Sequence, residues 1–440
     1  MKTDGRTKAP SGCHWNAPTE SATSGTFPKL EVALLTGGAD RPYAFGLAKA
    51  LLGAGTALDL IGNNDLDSPD FRSAPGVRYL NLRGDQRAEA GILEKSLRVL
   101  KYYVRLFRYT ATASPKLFHI LWNNKFEYFD RTLLMLWYRL LGKKIVLTLH
   151  NVNGRKRDRK DTALNRITLR IQYRFADHIF VHTEKMKQEL IDDFAGREEL
   201  TTVIPFGINN AVPNTQLTTG EARERLGIGN REKTLLFFGH IAPYKGLEYL
   251  VSAFQQVANQ RDDCRLIIAG RPKNCEAYWN TIRLAIEEDL KTSRILLRQE
   301  FIPDEDTELY MKAADVLILP YRHIYQSGVL FLGYSFGLPI IAADVGSLAD
   351  DVVEGRTGFV FRAEDSDDLA KTIDRYFDSD LYIHLSDRRR AIREYAMKRN
   401  SWDEVAQKTT NVYSALMRLT SSGKAFTQDS SATSADAKLS

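Results

Sequence analysis

Residues 237–254 read FFGHIAPYKGLEYLVSAF, and this stretch decides the fold of the second half of the chain. An apolar run that ends at Gly239 predicts a buried strand, and the apolar spacing after Gly246 predicts an amphipathic helix. The loop between them contains Pro243 and Lys245. A lysine beside glycine backbone at a helix start is suited to hold an anion, although an ordinary surface lysine would give the same pattern. The unit therefore predicts an α/β domain with a candidate anion site where its first strand ends.

The same alternation of short apolar runs and helical stretches extends over most of the chain. The runs of the first half are LEVALLTGG, ALDLIG, VRYLNL, KLFHILWN, KKIVLTLHN, HIFVHT and TTVIPFGIN. The runs of the second half are TLLFFG, CRLIIAG, RILLRQEF, DVLILPY, PIIAAD and TGFVF. This pattern predicts two parallel sheets, each covered by helices on both faces, with ligands bound at the strand C-termini in a cleft between the domains.

The domain boundaries follow from these runs and from composition. We expect a disordered leader, a first domain, a polar linker, a second domain, a C-terminal helix and a disordered tail. Their ranges are 1–28, 29–212, 213–232, 233–400, 401–420 and 421–440. The first strand run ends in TGGADRPYAFG and lacks the G-x-G-x-x-G pattern, so a nicotinamide cofactor is not expected.

Composition excludes several classes of protein. The 440 residues contain three cysteines, too few for a disulfide framework or a zinc site, so a reducing cytoplasm is the expected compartment. The apolar fraction is 43% and no apolar run is long enough to span a bilayer. The net charge is +6, with basic residues concentrated at 94–109 and 154–160. These segments indicate either solvated helix faces or a surface for anionic lipid headgroups or an acidic acceptor. Nucleic acid is not an expected partner.

A second candidate anion site lies at 321–341, YRHIYQSGVLFLGYSFGLPII. Ser327 is a predicted N-cap of the apolar helix, and the N–H groups of Gly328 and Val329 are placed to hold a phosphate. The alternative is a capped, buried helix that binds nothing. Between Asp315 and Asp344 the chain has no carboxylate, which is unusual in a protein with 26% charged residues.

Taken together, these motifs resemble the retaining glycosyltransferases of family 4, which have the GT-B fold: two Rossmann-like, doubly wound domains that face a central cleft. The resemblance covers roughly residues 30–418. It depends on Gly239-His240 through Lys245-Gly246, on IIAG, QSGV, GLPIIAADVG and EGRTGFVF, and on a C-terminal helix around Ser401-Trp402.

The resemblance implies a nucleotide-sugar donor, no metal and no cofactor. It implies catalytic roles for His150 and Lys245, the first near the sugar and the second at the diphosphate. The other residues that it assigns to the nucleotide sugar are Gly37, Gly38, Gly239, His240, Gly270, Arg271, Phe301, Ile302, Gln326, Ser327, Gly328 and Val329. His119 and His182 are interpreted as packing residues, and Asp65 and Asp67 as a solvated loop.

Two features depart from the family pattern, at three positions. His240 stands where the family has arginine, so a permanent cation becomes a group that titrates near neutral pH. Two glutamates that flank the helix start are absent, since their positions fall at Ile324 and Leu332, and Gln326 is the nearest polar substitute. Either the chain holds the donor ribose with other groups, or it has lost turnover.

Two functions follow from the sequence. The first is a retaining, metal-independent hexosyltransferase that acts on a glycan or lipid-linked acceptor in the assembly of cell-surface polysaccharide or glycolipid. It would be cytoplasmic, with peripheral contact to the anionic inner face of the plasma membrane. The alternative is a catalytically silent protein of the same fold that binds a nucleotide sugar or a partner protein.

Overall fold

Two parallel β-sheets form the framework of the protein. The computed structural model describes residues 30–37, 40–86, 91–157 and 160–432. The predicted leader, Gly38 and residues 433–440 of the predicted tail lie outside this part of the chain. The first sheet contains β1 (Glu31–Leu35), β2 (Ala57–Gly62), β3 (Val77–Asn81), β4 (Leu117–Ile120), β5 (Lys144–Thr148), β6 (His178–Val181) and β7 (Thr201–Val203). The second contains β8 (Lys233–Phe238), β9 (Cys264–Ala269), β10 (Ile295–Arg298), β11 (Val316–Leu319), β12 (Ile340–Ala343) and β13 (Gly358–Phe361).

Helices connect successive strands. Those of the first half are α1 (Arg41–Gly53), α2 (Pro69–Arg72), α3 (Ile92–Thr112), α4 (Glu127–Phe129), α5 (Met135–Leu140), α6 (Gly154–Arg157), α7 (Ala163–Phe175) and α8 (Glu184–Phe194). Those that follow are α9 (Thr219–Leu226), α10 (Leu247–Ala258), α11 (Glu276–Ala285), α12 (Glu287–Lys291), α13 (Asp304–Ala313), α14 (Gly328–Ser335), α15 (Leu348–Asp351), α16 (Ser366–Phe377), α17 (Asp380–Ile383), α18 (Leu385–Arg399) and α19 (Trp402–Ala432). A π-helical turn, Asp130–Leu134, leads into α5.

The strand order places one topological switch point in each sheet. The first sheet has the order β3-β2-β1-β4-β5-β6-β7, and the second has β10-β9-β8-β11-β12-β13. All of these pairings are parallel. The order reverses between β1 and β4 and between β8 and β11, so a crevice for ligands is expected at the C-terminal ends of these strands. The predicted pair of doubly wound domains is confirmed, with a strand at each predicted run.

Helices cover both faces of the first sheet. One face packs under α3, α5, α7 and α8 through a cluster of buried side chains that includes Leu106, Tyr138, Leu169 and Leu190. The other face packs under α1, whose buried residues belong to a larger core that continues into the second domain. This shared core explains why the two halves meet at a fixed cleft.

The segment predicted as a linker is packed on the second domain. It contains α9, which begins with a capping box formed by Thr218 and Glu221. Arg223 of this helix is buried and its Nη2 lies 2.8 Å from a carboxylate oxygen of Asp315, at the start of β11. Buried ion pairs fix geometry because neither charge tolerates the loss of its partner.

The C-terminal helix returns to the first domain, as predicted, and packs along α1. Trp402 leaves no room for a Cβ on Gly46 or on Gly207. Its indole Nε1 donates to the carbonyl oxygen of Ile208 at 2.8 Å. Tyr413 is fully buried, and its hydroxyl lies 2.5 Å from Nδ1 of His119 in β4. The helix extends to Ala432, well into the range predicted as a disordered tail.

Candidate functional site

A cavity of about 340 Å³ lies between the two domains at their switch points. Its volume is typical of pockets for small molecules, which measure roughly 300 to 1,000 Å³. Nine of the residues predicted to bind a nucleotide sugar line it: Gly239, His240, Lys245, Gly270, Arg271, Phe301, Ile302, Gly328 and Val329. Residues that lie far apart in the chain are thus brought together as the sequence predicted. The first domain contributes Asp40, Tyr43 and Phe206 to the lining, and Trp402 of α19 completes it.

The loop after β8 holds Lys245 at the cavity wall. Lys245 ends a short 3-10 turn, and Gly246 follows it with φ +63°, in the left-handed region that glycine tolerates. The lysine is only 6% exposed, and its Nζ lies 5.4 Å from the ring centroid of Tyr321. A Cβ built on Gly239 would lie 3.1 Å from the same Nζ. The glycine therefore leaves the space that the ammonium group occupies, and the cation is fixed beside bare backbone.

His240 is a neutral member of this loop at physiological pH. Burial, together with the nearby cations Lys273, Lys245 and Arg271, lowers the pKa of His240 to about 4. Lys245 is consequently the permanent cation of the loop, where the family pattern would place two.

The N-terminus of α14 faces the cavity through Gly328 and Val329. Ser327 occupies the predicted N-cap position and is buried, but its side chain makes no capping hydrogen bond and instead contacts the Tyr321 hydroxyl at 3.4 Å. Oε1 of Gln326 is buried and has no hydrogen-bond partner among the described residues. Neither Ser327 nor Gln326 lines the cavity, so the contribution of this segment is the helix N-terminus itself.

The positions of the two missing glutamates are apolar in the structure as well. Leu332 lines the cavity with 6% of its surface exposed, and Ile324 packs against the core. Carboxylates reach the cavity from elsewhere, because Glu300 and Asp304 lie in its wall after β10. The resemblance assigned the neighbouring Phe301 and Ile302 to the site but neither of these two carboxylates. The carboxylate of Glu300 can accept a hydrogen bond from a ligand hydroxyl, on the same wall as Phe301 and Ile302.

His150 follows β5 and stacks on Trp122, with ring centroids 4.1 Å apart and planes inclined by 5°. The ring of Tyr43 packs edge-on against the imidazole, with ring centroids 4.5 Å apart. Burial first, and the neighbouring His182 and His119 next, hold the pKa of His150 well below its usual range. The ring is therefore neutral at physiological pH.

The proton of this neutral ring can be placed from its hydrogen bonds. Nδ1 of His182 lies 3.3 Å from the carbonyl oxygen of Ile204, which only accepts, so this nitrogen carries the proton. Burial lowers the pKa of His182 to about 4, so its Nε2 is an acceptor. Nδ1 of His150 lies 3.2 Å from that Nε2 and must donate to it. The Nε2 of His150 is left as a buried acceptor without a partner among the described residues.

His182, interpreted from sequence as a packing residue, thus orients His150. His119 makes hydrogen bonds inside the core, to Tyr413 and to Thr148. His150 itself lines a second hollow of about 330 Å³ beside the interdomain cavity, and Tyr43 lies between the two spaces. An acceptor nitrogen buried at that point is suited to a ligand hydroxyl that enters from the cleft.

Gly37 has φ +59°, and a Cβ there would lie 2.5 Å from the carbonyl oxygen of Trp122. Glycine is thus required for the approach of the first loop to the residue that stacks on His150, while Gly37 itself does not line the interdomain cavity. Gly38 lies outside the described residues.

Contacts between the domains close the cleft around the cavity. Nη1 of Arg41 lies 2.5 Å from a carboxylate oxygen of Asp304. Phe206 and Phe331 stack with centroids 5.1 Å apart. Within the described residues, no group of three or more His, Cys, Asp or Glu side chains is placed to hold a metal ion. Asp67, interpreted from sequence as part of a solvated loop with Asp65, instead forms an ion pair with Arg72.

Comparison with known proteins agrees with this geometry. A family model described as "Glycosyltransferase Family 4" matches residues 36–212, and one described as "Glycosyl transferases group 1" matches residues 232–379. A D-inositol 3-phosphate glycosyltransferase of Corynebacterium aurimucosum is 25% identical over 61% of this chain and 64% of its own length. One from Corynebacterium glutamicum is 30% identical over 42% of this chain and 45% of its own length. The chain thus matches less than two thirds of the length of these relatives.

Solved structures share the fold. Sucrose-phosphate synthase from Thermosynechococcus elongatus superposes with a TM-score of 0.69 at 19% identity, over 89% of this chain and 100% of that one. HepE of Anabaena, solved with UDP-glucose, gives 0.65 at 16% identity, over 88% and 100%. WaaG, a glycosyltransferase involved in lipopolysaccharide biosynthesis, gives 0.60 at 15% identity, over 87% and 99%. The predicted GT-B architecture is confirmed.

Proposed function

Because this chain belongs to the family 4 glycosyltransferases, also described as glycosyl transferases group 1, we propose that it is a retaining glycosyltransferase that moves a sugar from a nucleotide-sugar donor to a glycan or lipid-linked acceptor. The observation that carries the proposal is the convergence of Lys245 and the N-terminus of α14 on the interdomain cavity, which we now call the donor cavity. A fixed cation and a helix N-terminus together suit the diphosphate of such a donor.

The cavity walls suggest how the donor lies. The diphosphate would contact Lys245 and the first turn of α14, and the base would rest near Gly270, Phe301 and Ile302. Gly270 has φ +152°, and a Cβ there would collide with the carbonyl oxygen of Gly239, so two strand ends meet closely under the base. The ribose hydroxyls would donate to Glu300, which replaces the missing glutamate at the position of Leu332.

The chemical demand is departure of a nucleoside diphosphate from the anomeric carbon. The leaving phosphate gains negative charge as the bond breaks, and a preorganised cation stabilises that charge without reorientation. Lys245 should therefore act more on the rate of transfer than on donor affinity. Nε2 of His150 would accept a hydrogen bond from a sugar hydroxyl. Retention would follow from attack on the same face as departure, with the acceptor proton passing to the leaving phosphate.

A surface of the first domain supports an acceptor held at a membrane. Ten of the fourteen large apolar side chains that are exposed in the described residues belong to this domain. Nine of them form what we call the apolar helix face: Leu93, Leu97, Leu100 and Val104 of α3; Leu133, Leu136 and Leu140 of the π turn and α5; and Leu164 and Ile167 of α7. Each set has helical spacing, so each forms a stripe on the outer side of its helix.

The three helices lie side by side on one face of the sheet. Phe107 of α3 meets Trp137 of α5 at 5.6 Å between ring centroids. Arg131 of the π turn before α5 donates to Asn165 of α7 at 2.8 Å. Lys101, Arg105 and Arg108 flank the stripe on α3. Apolar stripes bordered by basic residues are typical of helices that lie on anionic bilayers.

The second basic segment contributes less to this surface. Arg155 pairs with Glu127, and Lys156 pairs with Glu189 and Asp193; residues 158–159 lie outside the described part of the chain. No helix in the described residues is long and apolar enough to cross a membrane. From the apolar helix face and its basic border, we propose that the protein is held peripherally at the cytoplasmic face of a membrane and acts in cell-surface polysaccharide or glycolipid assembly.

A thermal-shift screen against UDP-, GDP- and ADP-sugars tests the donor. One of these series should raise the melting temperature of the full chain, because a ligand of the native state stabilises it. Incubation with that donor and a membrane extract should then yield a glycosylated product with the anomeric configuration of the donor. Inversion at the anomeric carbon would contradict the proposed mechanism, and the absence of any shift would contradict the donor site.

The missing glutamates favour a second candidate, a silent protein that binds a nucleotide sugar or a partner protein without turnover. It predicts a thermal shift with a nucleotide sugar but no nucleoside diphosphate release above the buffer rate. Formation of product by purified protein would eliminate it.

Vesicle sedimentation tests the membrane contact. The protein should bind vesicles that contain phosphatidylglycerol at low salt, and less at high salt because the headgroup attraction is screened. Leu100→Glu and Leu136→Glu should each weaken binding. Leu284→Glu is the control, since Leu284 is 74% exposed but belongs to the second domain. Equal binding by all three variants would refute this surface.

A further inference from the structure

A third space, a cavity of about 380 Å³, lies in the first domain. It opens at the start of α3, beside the segments that follow β3 and β4. Four of its lining residues are cationic, namely Arg83, Lys95, Arg98 and Lys125, and no carboxylate is among the described residues that line it. We call it the cationic pocket. It is separate from the donor cavity and lies in the first domain alone.

The cations are positioned by the fold rather than left to solvent. The Arg83 guanidinium lies 5.1 Å from the ring centroid of Tyr102, and its Nη1 is buried without a hydrogen-bond partner among the described residues. Nη1 of Arg98 donates to the carbonyl oxygen of Asp85 at 2.7 Å. The Tyr102 hydroxyl donates to Asn124, next to Lys125, at 2.6 Å. Three separate chain segments are thus tied around one space.

A buried acid, Asp130, lies close enough to attract the Arg83 guanidinium. Asp130 is buried and is engaged by the hydroxyl of Tyr103 and the backbone N–H of Asn124. Burial raises the pKa of Asp130 to about 6. Guanidinium groups are suited to phosphate oxygens, so Arg83 and Arg98, together with Lys125, can receive a phosphate group at the pocket.

The pocket also has a defined place relative to the other surfaces. Lys95 and Arg98 lie on the same helix as Leu97 and Leu100, which belong to the apolar helix face. Lys125 is three residues from Trp122, which stacks on His150. Residues 122–125 thus connect the cationic pocket to the hollow that Trp122 and His150 line, and α3 connects it to the apolar helix face.

We propose that the cationic pocket binds the phosphate or diphosphate group of the acceptor. This proposal rests on the proposed transferase function and narrows its acceptor to a phosphorylated one. The group would anchor the acceptor in the first domain, and the acceptor hydroxyl would extend past Lys125 and Trp122 toward the donor sugar. Arg83 and Arg98 are specificity-determining residues in this account.

Binding of inorganic pyrophosphate to the full chain, measured by calorimetry at fixed ionic strength, tests the pocket. Two classes of site are expected, one in each cavity. Arg83→Gln and Lys125→Gln should weaken one class at least tenfold, and Lys245→Met should weaken the other. Lys101→Gln is the matched control, because it removes a charge from α3 outside the pocket. Circular dichroism melts check that each variant is folded.

The outcomes separate the two proposals. If Lys245→Met abolishes one class of site while the pocket variants change nothing, the cationic pocket is refuted and the donor site stands. The pocket is also refuted if Lys101→Gln weakens pyrophosphate binding as much as the pocket variants do. If only the pocket variants lose binding, the donor site is refuted and the pocket stands. Repeating the titration with farnesyl diphosphate in phosphatidylcholine vesicles distinguishes whether the bound diphosphate belongs to a lipid-linked or a soluble acceptor. A stronger pocket dependence there than with free pyrophosphate identifies a lipid-linked acceptor, and the reverse identifies a soluble one.

Discussion

Replacing Lys245 with methionine separates a catalytic cation from a structural one. Methionine keeps an unbranched apolar stem of similar length and removes the charge. The ammonium lies 5.4 and 5.8 Å from the ring centroids of Tyr321 and Phe237, contacts that contribute roughly 1 to 2 kcal/mol together. With 6% exposure, however, the lysine is stabilised less by water than in the unfolded chain, at a cost of about a few kcal/mol. The two effects oppose each other, so Lys245→Met should change Tm by no more than about 4 °C.

The effect on transfer should be far larger. Removal of one preorganised group that stabilises charge in a transition state typically lowers kcat by about 10² to 10³, or roughly 3 to 4 kcal/mol. The affinity for the donor should fall less, since the charge on the leaving phosphate grows as the bond breaks.

The assay is release of nucleoside diphosphate with the donor found by thermal shift, measured together with a melting curve. Lys371→Met, an exposed lysine on α16, is the control for loss of a positive charge. A folded Lys245→Met protein with wild-type turnover would refute the role of this residue. A loss of turnover that accompanies a large fall in Tm would instead assign Lys245 to the fold.

Three further predictions concern other parts of the molecule. Burial lowers the pKa of His119 to about 3, so between pH 6.5 and 3 the unfolded chain binds a proton that the folded one does not, and stability falls as pH falls through this window. His119→Gln should therefore lower the pH dependence of the unfolding free energy by about 1.4 kcal/mol per pH unit in urea titrations, and an unchanged slope would contradict the neutral core histidine. Gly270→Ala should destabilise the second domain by about 2 kcal/mol or more, because its Cβ would collide with the backbone of Gly239. The control Gly220→Ala, in open space on α9, should raise Tm slightly. Equal melting curves for the two variants would contradict the close approach of the strand ends. His240→Arg should lower the KM for the donor several-fold at pH 7.5, since it adds a permanent cation to a loop whose histidine is neutral, and an unchanged KM would show that position 240 does not reach the phosphates.

Much of the framework could be predicted from the sequence because parallel strands buried on both faces leave uninterrupted apolar runs. The same holds for the wall of the donor cavity. Gly239, Lys245, Gly328 and Val329 follow strand ends or begin helices, and the parallel topology brings such positions to one edge.

The remaining features depend on contacts between elements. The hydrogen bond from His150 to His182 joins residues that follow neighbouring strands, and two histidines just after β5 and β6 were a signal that could have indicated it. Glu300 and Asp304 could not be assigned because an acidic loop gives no direction for its side chains. The stripe on α5 was missed since LLMLWYRLL resembles a buried helix until its exposed side is known.

The position of Tyr413 has a consequence for the order in which the protein folds during its synthesis. The first domain buries this side chain completely, against His119 in the middle of its own sheet. While the ribosome is still making the second domain, the first one lacks α19 and has an open groove along α1 where Tyr413 and Trp402 will lie. Its core can close completely only when this helix has emerged, so the first domain should reach its full stability late in synthesis. A fragment that ends before residue 400 should therefore be less stable than the same domain in the full chain, because it lacks both side chains.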